Sequence, residues 1–477
     1  MPGKRVCCEK SAVFVCNRVP FFSHKRRASG VCDRRDCGVR IEHVSGYGDR
    51  LGNVRNPNHR PLISHMPVLP PVTPPIRFVS MDALFPAAEP GERRPILLFG
   101  DDLGWLTGRV ELAGREILLA DSREAAHALI TTRPLDCVVA SCADPGRSVE
   151  MLRAAGVSER GMVALVIGDG KRMSGVSCPF PLLPRVESVD VLDDQVRTQL
   201  AIAAWQAKPA LSGLLKLITQ VPTLPGIYTQ ITAALQNPHI SVQEIADLVA
   251  REPAVSAKLL QMVNSPLFTF GGSVTSVRDA TSLLGLNRVR SLVMATCLFR
   301  QFDVSKCRSF SMSRFEETSL RIANWASTIA LSETGNKHLA DMAFTGGLLH
   351  NFGVLLLAAN IPIAYEEVLR NALKRQVSLA LSEFQTFGAT HAALGGGFLA
   401  SWRIPFPIVN AVGWYPFPSS SEDTAFTPLT AVHAATAVDA FAQTGMYAYD
   451  RGYIEKMGLC EKVEHWCASL TEETLAA

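Results

Sequence analysis

The stretch from Val221 to Arg300 constrains the fold more than any other. It opens VPTLPGIYTQITAAL, runs through SVQEIADLVAREPAVSAKLLQMVNSPLF and closes SVRDATSLLGLNRVRSLVMATCLF. Apolar residues recur at three- and four-residue spacing, as they do on helices that bury one face. Ser241 with Glu244, Ser276 with Asp279 and Ser313 with Glu316 have the spacing of a capping box, in which a hydroxyl and a carboxyl satisfy two N–H groups at a helix start. Ile245, Leu248 and Val249 follow the first, Leu283, Leu284 and Leu286 the second, Leu320 and Ile322 the third. Pro253 fits a first helical turn, Asn264-Ser265-Pro266 stops the helix begun there, and the two prolines of VPTLPG break the chain after LSGLLKLITQ (211–220). The expectation is a long all-helical region.

At 477 residues the chain should hold two or three domains. Residues 1–80 carry 14 Lys and Arg against 5 Asp and Glu, whereas the remainder carries 33 against 39. The basic excess therefore sits in the N-terminal tail, and no nucleic-acid partner is expected for the folded part. Of the 12 cysteines, Cys7, Cys8, Cys16, Cys32 and Cys37 lie in that tail and the rest are scattered through apolar segments. That is not a disulfide framework, and AVFVC is too short for a secretory core, so a cytoplasmic protein with reduced thiols is expected. The longest apolar run, GGLLHNFGVLLLAANIPIA (346–364), is interrupted by His, Asn, Gly and Pro. It reads as buried helix, not as a membrane span, which needs about 20 mostly apolar residues.

Residues 1–92 show no period, and PVLPPVTPPI (67–76) reads as extended polyproline. A disordered, basic, Pro-rich tail is the expectation, with Met66 and Met81 as alternative starts. Cys16, His24, Cys32 and Cys37 lack the paired spacing of a zinc site. From Pro95 the pattern changes. ILLFG (96–100), EILLA (116–120), LDCVVAS (135–141), MVALVIG (162–168) and PLLPRV (181–186) are short apolar runs, strands by length. A helical stretch is read between the first two, and SREAAHALI (122–130) is a helix capped by Ser122. Strands alternating with helices mean a doubly wound parallel sheet over 94–207. Val191, Leu192, Val196, Leu200 and Ala203 give 187–208 a helical apolar face, with the boundary at Pro209.

The length of this unit and the acid pair Asp101-Asp102 after its first strand are similar to the receiver domain of response regulators. That resemblance implies a carboxylate pair holding Mg²⁺, a phosphate-accepting Asp after the third strand and a Lys after the fifth. Here the acceptor position is Ser141 and the Lys position Arg185, and Gly168-Asp169 ends the fourth strand without Ser or Thr. A serine hydroxyl cannot form an aspartyl phosphate, so a receiver-like unit outside the usual phosphorylation route is expected. Asp101 and Asp102 then read as a polar turn.

VPTLPG, the SVQEIADLVAREP segment, the SVRDATSLLGLNRVRSLV helix pair, GGLLHNFGVLLL and HAALGGGFLASWRIPFPI closely resemble, in order and spacing, the HD-related output domain (HDOD) of bacterial signalling proteins. The resemblance covers about 209–415. It implies descent from a metal centre built from a first His, an adjacent His-Asp pair and a later Asp, whose metal activates water. In this chain those positions hold Thr318, His350, Asn351 and Thr436. A neutral amide and two hydroxyls are poor substitutes, and a lone His350 reads better as a buried, hydrogen-bonded histidine. His391 and Trp402 read as packing residues, Trp414-Tyr415 as core, and the glycines at 395–397 as a close helix approach or a break after a helix.

The whole is therefore expected to be a multidomain chain: the tail, an α/β doubly wound receiver-like domain (94–207), an all-α HDOD bundle (209–415) and helices at 416–477 that complete it. The resemblance implies a regulator without catalysis, cofactor or metal that works through a protein partner or a small signal, with a homodimer as one arrangement. Two alternatives stay open. A metal-dependent phosphohydrolase would use His350 with His433, Asp439 or Asp341. A nucleotide sensor, for example of a cyclic dinucleotide, would use Asn287, Arg288 and Arg290.

Overall fold

A computed structural model describes residues 93–100, 110–141, 145–168, 180–183, 188–237, 239–268, 273–421, 423 and 425–476. The tail, Asp101, Asp102, Asp169 and Arg185 lie outside the described residues, as does the stretch 101–109.

A six-stranded sheet comes first. Its strands are β1 (Ile96–Gly100), β2 (Glu111–Leu112), β3 (Arg115–Ala120), β4 (Cys137–Ser141), β5 (Val163–Ile167) and β6 (Leu182–Leu183), in the order β2-β3-β1-β4-β5-β6. All pairs are parallel except β2 with β3. Helices α1 (Arg123–Thr132) and α2 (Pro145–Ala154) cover one face, packing Ile130, Val149 and Leu152 on Leu97, Phe99 and Val138. Helix α3 (Val189–Gln206) covers the other, setting Leu192 and Val196 on Ile96, Leu98 and Val139. Alternate residues of each strand thus feed two cores, which is why the strands read as continuous apolar runs. Ser122 caps α1 by accepting from Ala125 N. The expected helix before EILLA is, over 110–114, a hairpin. Ala113 (φ +52°) and Gly114 (φ +68°) form a two-residue turn with both φ positive, the geometry that suits strand twist.

The helical region runs through α4 (Pro209–Leu217), α5 (Gly226–Ala234), α6 (Val242–Ala250), α7 (Pro253–Val263), α8 (Val277–Leu284), α9 (Leu286–Phe299), α10 (Met312–Thr334), α11 (Lys337–Leu349), α12 (Phe352–Asn360), α13 (Pro362–Arg375), α14 (Leu379–Phe387), α15 (His391–Ser401), α16 (Phe406–Trp414), α17 (Pro428–Thr444), α18 (Arg451–Lys456) and α19 (Cys460–Ala476). Ser241 and Glu244 form the full capping box of α6. Ser276 accepts from Asp279 N and donates to its carboxylate. The third box is displaced. Helix α10 begins two residues early with Ser311 as cap, and the Glu316 carboxylate instead pairs with Lys258 of α7 at 2.6 Å. The apolar faces also have gaps: Val191 and Leu283 lie about half exposed.

Two apolar cores fill this region. One joins α4–α9 with α12, α13, α15 and part of α10, α11 and α16. The other joins α10, α11 and α16 with α17–α19. The long apolar run is two helices, α11 and α12, broken at His350-Asn351. Lys337–Asn360 is long and apolar enough to cross a membrane, but 89% of its most apolar window is buried inside the protein. Helix α3 belongs to both halves of the molecule: beyond Val196, its Ala201 and Ile202 pack on the helical core, and Asp194 Oδ1 accepts the Phe406 N–H at the start of α16 at 2.8 Å.

Gly353 shows how tightly the helices meet. A Cβ there would stand 1.9 Å from the His391 carbonyl oxygen, and one on Gly395 would lie 3.0 Å from Gly353 N. The glycines at 395–397 therefore sit within α15, where the first permits close approach to α12. Gly353→Ala should cost about 3 kcal/mol or more by forcing these backbones apart. Gly213→Ala in α4, where a Cβ meets nothing within 4 Å, should be neutral or stabilise by about 0.5–1 kcal/mol. Urea unfolding of the two variants checks both.

Candidate functional site

His350 caps the C-terminus of α11, and Asn351 the N-terminus of α12. Both stand at a helix break because the chain must turn there to bury two apolar helices in succession. The His350 ring is buried, its Nδ1 lies 2.6 Å from Gly347 O, and its face meets the edge geometry of Tyr415 with centroids 5.1 Å apart. Burial pushes its pKa down to about 3, which outweighs the favourable carbonyl contact.

Around this pair lies a connected set of buried polar side chains. Glu383 on α14 is wholly buried and accepts from three donors. These are the Tyr365 hydroxyl at 2.5 Å, the His391 backbone N–H at 2.8 Å and His391 Nδ1 at 2.6 Å. His391 Nε2 lies 2.6 Å from the Tyr415 hydroxyl, which donates to Asn351 Oδ1 at 2.9 Å. Burial first, and then the Glu383 charge, hold both phenols well above their usual pKa, so both stay protonated as donors. The four elements α13, α14, α15 and the end of α16 thus meet the α11–α12 break through one chain of hydrogen bonds.

The other expected positions lie on a different seam, between α10 and α17. Thr318 and Thr436 do not touch His350 in any recorded hydrogen bond. Thr436 Oγ1 donates back to His433 O at 2.7 Å. One turn beyond each threonine stand Arg321 and Asp439, paired at 2.7 Å with about 17% and 13% of each side chain exposed. Arg321 also reaches Thr318 Oγ1 at 3.4 Å, and its guanidinium lies over Trp325. Burial raises the pKa of the Asp439 carboxyl despite the pull of Arg321. His433 is engaged on both ring nitrogens, Nδ1 with Tyr415 O at 2.8 Å and Nε2 accepting from Asp450 N at 2.9 Å. Burial pushes its pKa down too.

Asp341 accepts from Asn287 and pairs with Arg288. Arg288 further donates to Ser327 and lies over Phe344, so two of the three members of the expected Asn287-Arg288-Arg290 patch are tied to α10 and α11. Arg290 faces a separate cavity. Trp402 packs on Phe352 and Phe398, and Trp414 carries Lys208 over its ring. In the sheet, Ser141 ends β4, buried and in register with Gly100 of β1. Among the described residues, no group of three His, Cys, Asp or Glu is arranged to hold a metal ion.

The sequence reading missed Glu383, Tyr365 and Arg321. The signal for Glu383 was available: it stands at helical spacing between Ala380 and Phe387, a carboxylate on an apolar face, and such a group must find donors.

Comparison with known proteins bears on residues 221–416, which match the model of the HDOD domain. The match takes in Glu383, His391 and Tyr415 and stops short of His433 and Asp439. A curated relative, an uncharacterized protein of Treponema pallidum (strain Nichols), is 22% identical over 198 residues, 42% of this chain. The alignment spans 38% of that protein's length. Among solved structures, an HDOD domain protein of unknown function from Geobacter sulfurreducens is 17% identical. It covers 60% of this chain and 99% of its own, with a TM-score of 0.42. A putative signal transduction protein from Marinobacter aquaeolei VT8 is 19% identical, covering 69% and 83%, at 0.44. A putative phosphohydrolase from Shewanella amazonensis SB2B is 22% identical, covering 57% and 99%, at 0.41.

Two expectations follow from the buried network. Glu383→Gln replaces one of two accepting oxygens by a donor facing donors, and should cost about 3–5 kcal/mol by chemical denaturation. The second concerns acid. His350 moves from its ordinary 6.5 to about 3 on folding, so between those values the unfolded chain binds a proton the folded one refuses. Stability therefore falls as pH drops through that window, and His433 acts in the same direction. Asp194 opposes this, because burial lifts it from 3.8 to about 6 and the folded chain gains a proton there. His350→Gln should flatten the acid limb of stability against pH by about 1.4 kcal/mol per pH unit.

Proposed function

We propose, on the premise that residues 221–416 form an HDOD domain, that this protein is a regulator without catalytic activity. It relays a signal by binding a protein partner or a small molecule. The observation that carries the reading is the Arg321–Asp439 pair. The Arg321 guanidinium is already paired with Asp439 and with Glu317 one turn before it on α10, and a divalent cation would have to displace it. At the other half of the expected centre, Asn351 offers a neutral amide already bonded by Tyr415. His350 has no carboxylate recorded as its partner, and a hard, Lewis-acidic metal wants anionic oxygen beside imidazole.

The sheet domain is read as receiver-like. Counting only its parallel strands, the order is second-first-third-fourth-fifth, the flavodoxin-like winding. Ser141 stands at the carboxyl end of β4, beside β1, at the switch point where such folds carry their chemistry. With a hydroxyl there in place of a carboxylate, the domain serves to dock or to dimerise and takes no aspartyl phosphate. In this reading the protein acts in the cytoplasm and needs no cofactor.

Metal content of the protein purified without added metal tests the proposal, together with hydrolysis of a general phosphodiester in the presence of Mn²⁺. Sub-stoichiometric metal and no turnover are expected. Tightly bound Mn, Fe or Zn at one or more per chain, with hydrolysis abolished by His350→Ala, would overturn it in favour of a rebuilt phosphohydrolase centre.

A further inference from the structure

A cavity of about 440 Å³ opens between α5, α9, the turn after α15 and the start of α16. Its size falls within the ordinary range for small-molecule sites. Two arginines line it, Arg290 from α9 and Arg403 from the turn, and no Asp or Glu does. Among the described residues neither guanidinium has a recorded hydrogen bond or ion pair, although Arg288, two positions before Arg290, has both. Two arginines among the lining residues, with no carboxylate beside them, fit an anion with several acceptor oxygens.

The remaining wall says what the anion is attached to. Tyr228, Met294 and Trp402 give the cavity an apolar and partly aromatic side. Trp402 is held in place by Phe352 and Phe398, so its ring is a fixed platform. Inorganic phosphate alone would leave that side against water, whereas a flat ring would cover it. The backbone at Arg403 adds a second point. Ile404 N bonds Leu399 O and Arg403 N bonds Ala400 O, the pattern of a Schellman helix ending, so Arg403 occupies the left-handed position (φ +57°) where glycine is usual. The chain holds a long cationic side chain at a site that favours none.

We propose that this cavity binds a nucleoside monophosphate, its phosphate between Arg290 and Arg403 and its base on the Trp402 side. The site lies apart from the His350–Asn351 break. It deepens the regulatory reading by naming the small signal, and rests on that reading only for what the ligand does once bound.

Isothermal titration of the full chain at low salt tests it, with adenosine and guanosine monophosphates, the free nucleosides, a cyclic dinucleotide and inorganic phosphate as probes. Saturable binding of a monophosphate is expected, at least about tenfold tighter than its nucleoside, inorganic phosphate or the cyclic dinucleotide. Arg290→Gln and Arg403→Gly should each weaken it by about tenfold or more. Glycine suits the left-handed backbone, so Arg403→Gly should unfold no earlier in urea than the parent, separating lost binding from lost structure. No saturable heat with any monophosphate at about 1 mM, equal affinity for inorganic phosphate, tighter binding of the cyclic dinucleotide, or unchanged affinity in both arginine variants would each overturn the assignment. Release of phosphate from a bound monophosphate would leave the ligand assignment standing and overturn the regulatory reading instead.

Discussion

The Glu383 carboxylate is the constraint on which the arrangement of the central helices depends. A buried carboxyl group is tolerable only when its polar atoms find partners, and here Tyr365, the His391 backbone and the His391 ring supply them from two other helices. The same hydrogen bonds fix how α13, α14 and α15 meet, since each donor has a short reach. His391 then passes the constraint to Tyr415, and Tyr415 to the α11–α12 break. Apolar packing alone is tolerant of small slides between helices. A chain of directed bonds is not, and neither is the backbone contact at Gly353, so register there is set twice over.

Helix α3 links the sheet to the helical region by belonging to two cores. Its first half is committed to the sheet through Leu192 and Val196, its second to the bundle through Ala201 and Ile202. Asp194 and Asp193 sit at the change-over. One accepts from the start of α16, the other from Ala113 of the hairpin turn. Motion of the sheet relative to α16 is therefore opposed by two bonds to neighbouring residues of one helix.

The legible part of the fold was the part governed by local rules. Apolar runs located every core strand, and Ser122, Ser241 and Ser276 marked helix starts because an N-cap needs only its own next three residues. Errors came where a distant residue intervened. At α10 the Glu316 carboxylate pairs with Lys258, 58 positions away, and Ser311 rather than Ser313 is the cap. The hairpin at Ala113-Gly114 was hidden because alanine gives no sign of a positive φ. At the candidate site, the resemblance picked out His350 and Asn351 at the helix break, but Arg321, Glu383 and Tyr365 act through partners up to 118 residues away. Spacing within a segment carries no record of such pairs.

The Arg321–Asp439 pair shows how a mostly buried carboxylate can be held between two packed helices. A buried carboxylate without a cation or other donors is unfavourable. Asp439 is mostly buried, and burial does raise its pKa. A guanidinium delivered from the facing helix supplies the missing charge with directed N–H donors, to Asp439 and to Thr318 at once. The threonines beside it are small enough to let that side chain lie across the seam, and Trp325 supports its face. A fixed organic cation can thus do the structural part of a metal's work, neutralising charge between two helices, while offering no open coordination position to water.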